Sequence, residues 1–199
     1  MNYRYPDIEL PLGSRARYGL VVAAVQCLEG AAIWQFLDAT PWAQKLFDAA
    51  LERSQRPAAD PRDDDKAALF RVWYRDGVET AIFRLPAGAG DFCVAVDVEG
   101  QQEPLLTMIW RSRHDNRSFD AMILRIDEMY ESGQSTYPIE RTLLVSGVLD
   151  LLLESRIQEH RRIETPQLDV AYHVGERSFH VTANSSTPWG VMPSASDTD

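Results

Sequence analysis

Residues 119–166 read FDAMILRIDEMYESGQSTYPIERTLLVSGVLDLLLESRIQEHRRIETP, and the periods in this stretch decide the fold class. Phe119, Met122, Ile123, Ile126, Met129 and Tyr130 recur at offsets of three, four and seven, so a helix here carries one apolar face that a sheet should cover. After a break containing Gly133, Pro138 is suited to the first position of a second helix, which carries Leu143, Leu144, Val148, Leu151 and Leu152. That helix closes on Glu154-Ser155-Arg156, and a turn leads from it into a strand.

Working outward, the period changes from helical to extended. Leu20 to Cys27 is a nearly continuous apolar run, as expected of a strand covered on both faces, and Tyr18–Leu28 is read as that strand, closed by Glu29-Gly30. Thr40-Pro41 supplies a helix start for a segment in which Trp42, Leu46, Phe47, Ala50 and Leu51 share a side, with a further helical turn or two over residues 31–37. Residues 68–74 and 78–85 flank Arg75-Asp76-Gly77 and predict a hairpin. Residues 92–98 and 105–110 predict a second pair, and 168–174 a last strand. The fold class expected is α+β: an open, mostly antiparallel sheet with helices packed on one face. Residues 1–17 form an irregular first segment broken by Pro6 and Pro11, 18–175 a single domain with an exposed acidic loop at 54–66, and 176–199 a polar tail expected to be disordered.

Several segments together carry a family resemblance. Tyr3–Gly13 (YRYPDIELPLG), Val22–Trp34 (VAAVQCLEGAAIW), Trp42–Arg53 (WAQKLFDAALER) and Ile139–Pro166 resemble pieces of the Gfo/Idh/MocA oxidoreductases, the glucose-fructose oxidoreductase and inositol dehydrogenase family, in a bacterial subgroup of unassigned substrate. The resemblance is to the C-terminal, non-nucleotide domain. Members of the subgroup begin with a nucleotide-binding half that has no counterpart here, and a longer, His-containing stretch of theirs is reduced to Ser14-Arg15-Ala16-Arg17. It implies a domain, stand-alone or truncated, for substrate binding and oligomerisation in an oxidoreductase acting on a sugar or polyol. No cofactor is expected on this chain, with NAD(P) held only by a separate or missing Rossmann domain. A homo-oligomer through the open sheet face is the expected assembly, with Ala81–Leu85 and Phe92–Val98 supplying alternating apolar residues, and a separate Rossmann-domain subunit is the other expected partner.

Composition excludes some partners. The 199 residues are 45% hydrophobic and 25% charged, enough for one sizeable core. Thirty acids against twenty bases give a net charge of -10 and a pI near 4.9, which opposes binding to nucleic acid or an anionic membrane. No apolar run reaches the roughly 20 residues of a membrane span, nor is there a secretory signal pattern, so a cytoplasmic protein is expected. Cys27 and Cys93 lie inside apolar strands and read as buried free thiols without a metal pattern.

The search for chemistry is mostly negative. The chain has no GxGxxG, GxxxxGK[ST], HExxH or GxSxG motif. Its two lysines, Lys45 and Lys66, stand in no EKP motif of the kind the family uses. His114, in the polar run Arg111–Arg117, is a catalytic candidate if that loop faces a cleft and otherwise belongs to a solvated connection. Glu140 is the second catalytic candidate and Arg141 a substrate-binding one, in the first turn of the apolar helix, where charge complementation of the helix terminus is the competing reading. Gln26 and Glu29 are substrate-binding candidates because they are polar groups where an apolar strand runs out. His160 reads as a cap of the long helix, His173 and His180 as edge or tail residues, and no metal site is expected. Two other functions stay open beside the oxidoreductase-related domain: a cofactor-independent acid/base enzyme on a small carbohydrate using Glu29, Glu140 and His114, and a non-catalytic structural or ligand-sensing module.

Overall fold

The structure, a computed structural model, describes residues 21–54, 60–87, 92–109 and 117–172. The segments 1–20, 110–116 and 173–199, and with them His114, His173 and His180, lie outside the described residues. Strand β1 (Val22–Glu29) is the centre of the molecule. Val22, Ala24, Val25, Cys27 and Leu28 are all buried, so both faces of this strand are covered, as its continuous apolar run requires. Gly30 closes it at φ 59° and ψ -141°, a conformation open to glycine, and its carbonyl accepts the Ile33 amide of the following helix at 3.2 Å. Helices α1 (Ala31–Ala39) and α2 (Pro41–Arg53) meet at Thr40, which occupies the N-cap position without a side-chain capping bond.

The hairpin is present as β2 (Ala68–Tyr74) and β3 (Glu79–Arg84), and both strands run antiparallel to their neighbours. The Asp76 carboxylate accepts the Val78 amide at 3.2 Å, which sets the turn before Gly77 at φ 92°. Strands β4 (Phe92–Val96) and β5 (Leu105–Ile109) then pair with each other. Helix α3 (Arg117–Ser132) and helix α4 (Ile139–Ile157) follow, the latter with Pro138 at its N-cap, and strand β6 (Ile163–Glu164) adds to the free edge of β1.

The architecture is α+β with antiparallel strands, but three expectations are corrected. The strands form a four-stranded sheet in the order β3-β2-β1-β6 and a separate two-stranded β4-β5 sheet. Helices cover both faces of the larger sheet: Val25, Cys27 and Val72 pack with Leu144 and Leu152 of α4, whereas Leu28 and Leu69 pack with Ile33 and, at the margin, Phe47 and Phe83. Among the described residues the last strand is at 163–164, where Thr165 is fully buried and its amide and hydroxyl donate to the Ala23 and Val22 carbonyls at 2.9 and 2.8 Å. The segment expected as that strand, 168–174, starts on the last residue of a 3-10 turn, Pro166–Leu168, whose Leu168 enters the core; residues 169–172 are not a strand, and 173–174 lie outside the described residues.

Two further departures concern surfaces. The acidic loop is tied down in its described part: Asp64 is buried and accepts the Lys66 amide at 3.0 Å and the Ala87 amide at 2.7 Å. The apolar stripe of α3 is not covered by the sheet; Phe119, Met122 and Ile126 stay exposed. No helix among the described residues is long and apolar enough to cross a membrane.

Candidate functional site

The residue pattern of β1 and β2 places Gln26 directly opposite Arg71, on the sheet face away from α4, and Trp73 is on the same face two residues further. Glu79 of β3 stands across from Trp73. The Arg71 guanidinium donates from Nη2 and Nε to Glu79 Oε1 at 2.6 and 3.1 Å and from Nη1 to Gln26 Oε1 at 3.2 Å. Gln26 passes the chain on, its Nε2 donating to the His160 carbonyl at 2.8 Å. The guanidinium carbon lies 4.2 Å from the Phe36 ring centre and 4.4 Å from that of Trp73, and Arg162 approaches Trp73 equally closely. With side-chain exposures of 20% and 23%, the Arg71–Glu79 pair is shielded enough to hold its geometry and open enough to meet a ligand.

The C-terminal end of α4 fixes this corner. Ser155, fully buried, accepts the Cys27 amide at 3.0 Å and donates to the Arg161 carbonyl at 2.6 Å. Glu159 and His160 both take positive φ, 54° and 63°, which lets the His160 amide reach back to the Ser155 carbonyl at 2.8 Å. The cap expected of His160 is therefore made by its backbone, while its Nδ1 lies 3.1 Å from the Cys27 carbonyl. Arg156 engages Glu29 with Nε and Nη2 at 3.0 and 2.9 Å. Burial, reinforced by the Glu29 charge and opposed by Arg156, pushes the Cys27 thiol up, so it is held as an unreactive thiol. Cys93 is half-buried.

The structure divides the residues singled out from sequence. Gln26 joins the Arg71 network and Glu29 is paired beside it, at the C-terminal end of α4. Glu140 and Arg141 stand in the first turn of the same helix, about 24 Å away at ~1.5 Å per residue. There Arg141 lies 5.3 Å from the Tyr137 ring centre and lines a shallow depression of about 270 Å³ with Tyr137, Thr142, Val145 and Ser146. Glu29 and Glu140 therefore cannot act on one small substrate from within one chain. Arg71, Glu79 and Arg162 escaped the sequence reading, although charges inside otherwise apolar strands were the signal that could have found the first two. Among the described residues no cluster of three His, Cys, Asp or Glu could hold a metal ion.

In chemical terms the corner offers spare N–H donors of a fixed, planar guanidinium beside two aromatic rings. That suits an oxygen-rich ligand, hydroxyl or carboxylate. Compared with models of known protein families, with curated proteins and with solved structures, the chain matches none.

Proposed function

We propose that this chain is the substrate-binding and oligomerising domain of a Gfo/Idh/MocA-type oxidoreductase acting on a sugar or polyol, with NAD(P) carried on a separate nucleotide-binding domain or subunit. The sequence resemblance supports the family. The observation that carries the ligand class is the Arg71 corner, where a guanidinium held by Glu79 and Gln26 presents its remaining donors at a half-open sheet face. Gln26, a residue marked from sequence, is the hinge of that corner. In this reading Arg71 orients substrate oxygens, and hydride transfer belongs to the nucleotide-bearing partner. Ala81 and Phe83, expected at the subunit contact, are engaged by α1 and α2 within the chain, which leaves the exposed row Phe92, Val94 and Val96 of β4 for it.

Thermal shift against a panel of aldoses, polyols and sugar acids tests the reading, with NAD, NADH, NADP and NADPH alongside. A ligand at ~100 times its Kd stabilises by about 2.7 kcal/mol, and each kcal/mol moves Tm by about 2–4 °C in a chain of this size. A shift with a member of the panel that Arg71→Ala abolishes, and none with the nucleotides, is the expected result. A reproducible nucleotide shift, or no response to the whole panel, would sink it.

A further inference from the structure

Helix α4 is apolar on both sides. Its inner side, Leu144, Leu152 and Ser155, is buried on β1, yet its outer side presents Ile139, Leu143, Leu149, Leu153 and Ile157 at 69, 55, 54, 47 and 77% exposure. A helix lying on a sheet with only water above it is mostly polar and charged on that outer side, so one whose outer side is mostly apolar belongs between two layers. The outer side also has an internal order. Its midline runs Ile139, Leu143, Ser146, Asp150, Leu153, Ile157, the alternating four- and three-residue spacing of a seam that packs against another helix.

That seam is palindromic about Val148. Ile139 and Ile157 lie nine residues to either side, Leu143 and Leu153 five, Ser146 and Asp150 two. A two-fold axis through the middle of the helix, with a second α4 running antiparallel, brings Ile139 onto Ile157, Leu143 onto Leu153 and Ser146 onto Asp150 of the other copy, and repeats each pairing by symmetry. An isologous interface needs this self-complementarity. The two polar positions select the direction. Antiparallel, each Asp150 carboxylate meets a Ser146 hydroxyl that can donate to it; parallel in register, carboxylate faces carboxylate in a chain already at net charge -10. The contact is about 27 Å long at ~1.5 Å per residue, enough for the whole helix to be covered.

We propose that the outer side of α4 is a homodimer interface, occupied by the same helix of a second copy in antiparallel alignment centred on Val148. It is separate from the β4 row and does not rest on the carbohydrate reading.

The test is oxidative cross-linking in a Cys93→Ser background, where Cys27 is 1% exposed. Leu143→Cys and Leu153→Cys, each alone, should stay uncoupled, and an equimolar mixture should form the disulfide-linked pair. Coupling of Leu143→Cys with itself would mean a parallel or shifted pair and overturn the proposal. So would intramolecular coupling in a Leu153→Cys/Ile126→Cys chain, which would give this face to α3, or no coupling of the mixture at any protein concentration. Leu143→Glu/Leu153→Glu, both at exposed positions and checked for folding by circular dichroism, should halve the mass seen by light scattering, whereas Val94→Glu should leave the cross-link intact.

Discussion

Arg71 and Ser155 hold the candidate corner through different physics. Arg71→Ala removes the partner of a shielded carboxylate and of the Gln26 amide, so a loss of about 1–3 kcal/mol in urea unfolding is expected, with Arg71→Lys recovering only part because an ammonium cannot span Glu79 and Gln26 together. An unchanged midpoint in the alanine variant would show that the network carries no weight. Ser155→Ala strands the Cys27 amide and the Arg161 carbonyl, at about 1–3 kcal/mol for each group left without a partner. The same variant should speed labelling of Cys27 by a thiol reagent, since the strand end it locks would open more often. Glu159 is the opposite case: it bears a side chain at φ 54°, and Glu159→Gly should raise stability by about 1 kcal/mol in the same assay by removing the left-handed penalty.

Helix α4 owes its seat to its one glycine. A Cβ on Gly147 would stand 2.5 Å from Leu168 Cδ2, so the absence of a side chain lets the turn after β6 drop Leu168 into the core. Gly147→Val should cost about 1–3 kcal/mol by displacing that turn, read as a lower midpoint in urea. At this scale the sequence was most legible where coverage is symmetric. The apolar run of β1 and the Asp-Gly hairpin emerged because burial on both faces and a tight turn each leave a local signature. Strand β6 did not, since two residues following a left-handed turn made without glycine carry no period, and Thr165 marks its end only through bonds to residues 22 and 23. The division of the strands between two sheets is likewise a long-range outcome that no local alternation encodes. Of the candidate site, Gln26 was legible as the polar end of an apolar strand. Arg71 was hidden in the sequence FRVWY, where its partner in β1 lies 45 residues away.

For the molecule as a whole, Cys27 and Tyr74 are both raised above their ordinary values of 9.0 and 10.0, chiefly by burial. The unfolded chain therefore gives up these protons first, and stability should hold below about pH 8.5 and fall as pH rises beyond it. Chemical unfolding at a series of alkaline pH values checks this; a flat profile to pH 10 would contradict it. If β4 and α4 both serve as contacts, light scattering should find an assembly larger than twice the 22.5 kDa of one chain. Cys27, Gln26, Val22 and Ala23 are joined to Ser155, His160 and Thr165, partners that leave the ribosome well over a hundred residues later. Until those partners emerge, the most apolar strand among the described residues therefore waits with one edge unpaired, a ready template for pairing with a neighbouring nascent chain. Ribosomes that stall before Ser155 would release aggregating fragments, so the fate of this protein in a cell depends on completing residues 155–165 as much as on any residue of its core.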